Sequence, residues 1–356
     1  MKKILLLALA LVLVLSFGVF AEEKTPEQII DDYLYGGTIY IGRTNTPEGM
    51  FSPLYSETVY DADIEDIVFE GLTAVNKFFE PVPQLASKWE VSDDYLTYTF
   101  YLDDRAKFHD GHPLTAKDVK YTYQMFLHPD YGGVRASNFT SILGAVEYQK
   151  GEADEVKGIK IIDDYTLEIT LKEVYAPFLV NTTGFGIMPE HILSQYEPAE
   201  LDKIPFNQHP IGSGPFKFVE HKADEYSKLE AFEDYRLGRP YLDYVVFNYI
   251  SDEARLIMIE KGELDWVDIP GDEFDEVIKF NNVTLHKQIR NGFGYLAFNL
   301  KNDETPVSQQ AVRQAIAHGI NRKGFQEVVM NGLSVNVNSS ISQASWAYTN
   351  DLNEYE

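Results

Sequence analysis

Four short segments of this chain bring side chains together at spacings that could do chemistry. His109-Asp110-Gly111-His112 offers two imidazoles and a carboxylate, a donor set that suits zinc. The same segment holds a turn glycine and runs directly into a capped helix, so it reads as a polar turn rather than a metal centre. Gly212-Ser213-Gly214 approaches a nucleophile elbow, but the G-x-S-x-G spacing is absent. It reads instead as a turn that needs positive φ. Asp93-Asp94 and Asp163-Asp164 fall between strand-like runs and also read as turns. A glycosidase needs two facing carboxylates, and 56 acidic residues leave that class open as a rival. No catalytic residue, metal ligand or cofactor is expected. The chain has no cysteine, which excludes disulfides, thiolate metal sites, a cysteine nucleophile and a cysteine-linked lipid anchor. Neither a P-loop nor an H-E-x-x-H helix occurs.

The elements that must position these segments are legible from local pattern. Gly37–Ile41 reads as a buried strand, followed over residues 42–56 by a loop rich in Gly, Pro, Thr, Asn and Ser. Val59–Glu70 has helical spacing, with Gly71 where a C-cap would sit. Tyr95–Leu102 alternates aromatic and polar residues and reads as a strand. Thr115 and Asp118 form a capping box that opens a helix to about Leu127. Lys157–Leu171 reads as two strands around Asp163-Asp164, Pro189–Leu193 as a short helix, and Val245–Ile250 as a strand. Ser251 caps a helix from Asp252 to Lys261 that ends at Gly262. Gly294–Leu300 reads as a strand, and helices are expected over 308–318 and 321–330. Strands and helices mix without a steady βαβ rhythm or an internal repeat, which predicts a mixed α/β, multi-domain protein.

Composition bounds the function. The chain has 356 residues, 44% apolar and 13% aromatic, enough for a sizeable core and two or three domains. Its 30 basic and 56 acidic residues give a net charge of −26, which argues against a nucleic-acid partner. A cationic or neutral ligand suits this field, although acidity also keeps a secreted protein soluble. Lys2 and Lys3, the apolar run Ile4–Leu15 and Val19-Phe20-Ala21 have the layout of a secretory signal cleaved after Ala21. Residues 4–21 also touch the lower limit for a membrane anchor, but the acidic start at Glu22 favours cleavage. Residues 22–35 are expected to form a short helix or arm.

Several segments in order resemble one family. They are Pro83–Ser92, Tyr98–Leu102, Phe108-His-Asp-Gly-His-Pro-Leu-Thr-Ala-Lys-Asp-Val119, Pro210-Ile-Gly-Ser-Gly-Pro-Phe-Lys-Phe218, Tyr235–Val245, Lys261–Asp265, Leu296–Asn299 and Val312–Lys323. Together they resemble the peptide/nickel-type extracellular solute-binding proteins that serve ATP-binding-cassette (ABC) importers. The resemblance implies a periplasmic-binding-protein-like α/β fold of two lobes with a hinge. Domain one would comprise 22–75 and 190–287, an inserted domain two 76–189, and an incomplete domain three 288–356. Family members are usually longer, so the chain is expected to stop within domain three. In peptide-binding members, a carboxylate that holds the ligand amine lies in the part not present.

The implied function is binding of an extracytoplasmic solute in an interdomain cleft and its delivery to an ABC permease. A di- or oligopeptide is the first choice of solute, an oligosaccharide the second and a nickel chelate the third. The protein would be periplasmic, without a lipid anchor, and a monomer when complete. Ligand contacts would come from Thr44, Asn45 and Thr46 in the first loop and from Phe293, Tyr295 and Asn299 on the strand opening domain three. Phe293 and Tyr295 could equally be core residues. A binding protein that feeds no transporter is a further rival.

Overall fold

The computed structural model describes residues 34–287, 292–301, 304–343, 345, 348, 349 and 351. The expected leader, its cleavage after Ala21 and most of the arm over 22–35 lie outside them. Among the described residues, no helix is long and apolar enough to cross a membrane.

Two sheets organise the chain. The first has five strands in the order β11-β1-β10-β9-β8: β1 (Thr38–Arg43), β8 (Phe216–Lys222), β9 (Tyr226–Ala231), β10 (Tyr244–Tyr249) and β11 (Trp266–Val267). β1 runs parallel to both β10 and β11, while β8, β9 and β10 form antiparallel pairs. The second sheet is wholly antiparallel, in the order β4-β5-β7-β6: β4 (Ala86–Val91), β5 (Thr97–Leu102), β6 (Ile159–Asp163) and β7 (Thr166–Thr170). A two-stranded ribbon, β2 (Thr73–Val75) and β3 (Pro81–Pro83), lies between them in sequence. The expected mixed α/β character is borne out.

Helix α1 (Val59–Val68) starts at Thr58, whose side chain accepts from the Asp61 amide. It ends in an extended Phe69, so Gly71 is not its cap. Gly71 is needed for another reason: a Cβ there would lie 2.6 Å from the Gly184 backbone. Helix α2 (Ala116–Phe126) opens with the Thr115–Asp118 capping box. Helix α3 (Asp252–Lys261) is capped by Ser251 and closed by Gly262 in the left-handed region. The Thr115 and Ser251 caps depend on neighbouring residues only, which is why sequence finds them; the Thr58 cap is as local and was missed.

One contiguous core joins both sheets. It runs from Val245 and Phe247 through Ile64, Val68 and Phe69 to Phe100, Phe108, Tyr123, Phe126 and Phe139. A buried ion cluster fastens the same junction. Arg236 donates to both Glu70 oxygens, at 2.8 and 3.2 Å, and reaches Asp103 at 3.5 Å. Tyr235 donates to Glu70 at 2.8 Å, and Arg105 clasps the other side of Asp103.

Beyond residue 291 the fold is thinner. Gly294–Leu300 forms no strand, contrary to expectation; aromatic and apolar content favours one, but a strand also needs a partner edge. Helix α4 spans Gln310–Gly319. The second expected helix is only one α-turn, Arg322–Gly324, continuing as a π-turn over Phe325–Val329.

Candidate functional site

In an open sheet with parallel strands, ligands bind beyond the strands' carboxyl ends. Here three parallel strands, β1, β10 and β11, end together, with Arg43 opposite Tyr249 and Ile41 opposite Trp266. The loop after β1 carries Thr44, Asn45 and Thr46. Thr44 and Asn45 are exposed. The Asn45 amide donates to the Tyr60 hydroxyl at 2.8 Å, which ties the loop to the start of α1. The Thr46 hydroxyl oxygen accepts from the Asp224 amide at 3.4 Å, in the β8–β9 turn.

Asp61 holds this loop in shape. The residue is fully buried. Its carboxylate accepts from three successive backbone amides, Glu48, Gly49 and Met50, at 3.3, 2.9 and 3.1 Å. The Thr58 hydroxyl also donates to it. The chain can wrap so tightly because Gly49 takes φ +84°.

Beside the loop, β1, β10, β11 and α1 enclose an open groove of about 400 Å³. Its apolar part comes from Ile39, Ile41, Ile67, Phe247 and Trp266. Its charged rim is Arg43, Asp63 and Asp66. Arg43 engages Asp63 through two bonds, 2.6 and 3.3 Å, and lies over the Phe247 ring at 5.6 Å. Asp66 keeps a solvent-accessible face, yet protein crowds its other sides. That crowding raises its pKa, the nearby Asp63 adds to the rise, and Arg135 partly offsets it. The preceding residue, Glu65, is buried, and one of its oxygens has no hydrogen-bond partner. Burial pushes the Glu65 carboxyl up to about 7 against the pull of Ser56 and Arg135.

Phe293, Tyr295 and Asn299 lie elsewhere in the chain's path, on the irregular segment 292–301. Phe293 is 42% and Tyr295 78% exposed, so neither is a core residue. Their rings meet each other at 5.7 Å. The Asn299 side chain accepts from the Lys301 amide. Among the described residues, no hydrogen bond or ring contact joins them to Thr44, Asn45 or Thr46.

The histidine segment is a turn, with Gly111 at φ +89°. His109 is spent on structure. Its Nε2–H donates to the Gly214 carbonyl at 3.0 Å, while Nδ1 accepts from the Gly212 amide at 3.3 Å. Only the neutral ring can do both, and burial lowers its pKa to about 4. His112 stacks on His191 at 3.9 Å, and His191 reaches Asp110 at 2.7 Å. Among the described residues, no three His, Asp or Glu side chains are grouped to hold a metal ion. The glycine turn requires a correction. Gly212 and Gly214 do not take positive φ. A Cβ on them would lie 2.0 and 2.2 Å from the carbonyl oxygens of Val68 and Ile67. Close approach to the end of α1, not backbone handedness, demands glycine there.

Sequence reasoning missed Arg43, Asp61, Asp63, Asp66 and Trp266. Asp61 and Asp63 are two among many acidic residues, and Trp266 reaches the groove only through the parallel pairing of β1 with β11.

Residues 80–356 match the family model for bacterial extracellular solute-binding proteins, family 5 middle. The oligopeptide-binding protein AppA of Bacillus subtilis (strain 168) is 33% identical over 320 residues, which cover 89% of this chain and 56% of that protein. The dipeptide-binding protein of Escherichia coli (strain K12) is 27% identical over 324 residues, covering 87% of this chain and 59% of that one. The solved structure of AppA in complex with a nonapeptide superposes with a TM-score of 0.80 at 32% identity, over 90% of this chain and 60% of the other. The chain thus spans a little over half the length of these relatives. The match across most of its residues bears out the resemblance read from the motifs: the chain belongs to the bacterial extracellular solute-binding proteins, family 5.

Proposed function

We propose that the protein binds a peptide in a cleft and delivers it to the permease of an ABC importer on the outer face of the cytoplasmic membrane. The carboxyl ends of β1, β10 and β11 form one wall, with Thr44, Asn45 and Thr46 at its lip. Phe293, Tyr295 and Asn299 contribute to the facing wall once the lobes close. Residues 22–75 with 190–287, 76–189 and 288–356 act as the three structural units, and residues 1–21 direct export to the periplasm. No covalent chemistry is needed, because burial of the solute between lobes is the recognised signal.

The observation that carries this reading is the likeness to a nonapeptide-bound relative across nine-tenths of the chain. The loop after β1, pinned by Asp61, supports it. Isothermal titration with nonapeptides is the test. Binding of peptide, with none of maltooligosaccharides, is the expected result. Saccharide binding without peptide binding would move the assignment to the oligosaccharide class. Turnover of chromogenic glycosides would replace it with the glycosidase reading.

A further inference from the structure

The groove beside the loop combines two features that together specify a ligand chemistry. Ile39, Ile41 and Trp266 offer an apolar surface over the buried Phe247, and Trp266 is 53% exposed there. Arg43 is committed to Asp63. Asp66 has no ion pair or side-chain hydrogen bond among the described residues, and its nearest charged neighbours include Asp63. An alkyl stem that ends in a cation matches both features. The stem would cover apolar surface while its head meets the carboxylate, the same division of labour by which lysine and arginine lie along protein surfaces. An acidic ligand would meet two carboxylates and only one arginine, already paired.

We propose that this groove receives a basic side chain of the bound peptide, its stem against Ile39, Ile41 and Trp266 and its head at Asp66 and Asp63. The proposal rests on the peptide-binding reading. The groove begins at Arg43, and the loop bearing Thr44 follows directly, so a peptide lying along that loop would have one side chain within reach of it. The exposed Trp266 ring adds cation–π attraction for the same head group.

The test uses three nonapeptides, polyalanine except for lysine, alanine or glutamate at the central position, titrated against the full chain. A lysine preference over alanine of about tenfold is expected, the scale of one hydrogen bond to a charged group. Asp66→Asn should reduce it to within about twofold, and Trp266→Ala should weaken it. The control is Asp93→Asn, in the exposed turn of the second sheet, since a net charge of −26 attracts cations everywhere. Equal affinity for the lysine and alanine peptides overturns the inference while leaving peptide binding intact. A preference that falls equally in Asp66→Asn and Asp93→Asn assigns it to the general field and also overturns it. If Asp66→Asn alters only self-association in sedimentation velocity, the groove takes a second copy of the chain and the inference fails. Failure of all three peptides to bind defeats the peptide reading itself, and this inference with it.

Discussion

At the scale of single residues, buried charge and buried polarity do the positioning. Asp61, itself fully buried, accepts from three successive, partly buried backbone amides of the loop. Asp61→Ala leaves them without an acceptor, and the cost should be about 2–4 kcal/mol. Hydrogen exchange at Gly49 and Met50 should accelerate more than exchange in α2; equal acceleration would mean a global effect and sink the loop-pinning role. His109 and Glu65 make opposite pH statements. For His109, the folded pKa of about 4 lies below its ordinary 6.5. Between these values the unfolded chain binds a proton that the folded one refuses, so stability is lost as pH falls from 6.5 towards 4. For Glu65, the folded value of about 7 lies above its ordinary 4.5, so its contribution is lost as pH rises from 4.5 through 7. Denaturation midpoints across pH should therefore separate the variants. His109→Gln should gain on the parent as the medium becomes acidic, and Glu65→Gln should gain as it becomes neutral. Parallel profiles for parent and variants would refute both assignments.

At the scale of elements, the parts decided by neighbouring residues were legible and the parts decided by distant ones were not. The Thr115 capping box and the Ser251-to-Gly262 helix are fixed by side chains within four residues of the helix ends, and the sequence pattern locates both. Tyr95–Leu102 is found to within two residues because a period of two suffices when a partner strand exists. Gly294–Leu300 is an aromatic and apolar run with no strand partner among the described residues, and it stays irregular. The site divides in the same way. The loop holding Thr44–Thr46 is readable from its composition. The groove is not, because Ile41, Phe247 and Trp266 meet only through parallel pairing of strands more than 200 residues apart. The glycine turn is the sharpest case, since local reasoning finds the right residues and the wrong cause. If handedness were the requirement, alanine would be strained but not blocked. Contact with α1 predicts more: Gly214→Ala should cost about 3 kcal/mol or prevent folding, the upper range for overpacking. Serine should do no better, and asparagine, which tolerates positive φ, should not rescue. Rescue by asparagine in thermal melts would restore the handedness explanation.

At the scale of the whole molecule, the distribution of contacts sets where the chain is firm. Residues 34–285 carry both sheets, the contiguous core and the Glu70–Arg236–Asp103 cluster that bolts the sheets together. Breaking that cluster by removing Arg236 would leave the buried Glu70 carboxylate without its cation, while Asp103 keeps Arg105, and such a loss typically costs about 3–5 kcal/mol. Residues 292–351 are held differently. None of the strands of the three sheets lies in this stretch. Tyr295 is 78%, Phe325 54% and Val328 81% exposed. The Asn331 side chain donates to the Gly271 carbonyl at 3.3 Å, and the Met330 backbone lies close to the same glycine. Local opening needs little energy where few apolar contacts are lost, and a protease cuts what opens. Limited proteolysis should therefore cleave first after residue 291, release fragments of the last sixty or so residues, and leave a resistant core that keeps both sheets. Exposed side chains of this size should also drive concentration-dependent association of the intact chain, lost when the segment is cut away. Early cuts in the second sheet, at the β4–β5 or β6–β7 turns, with residues 304–343 surviving, would show that the terminal segment is the better-packed unit and that exposure is a poor guide to firmness here.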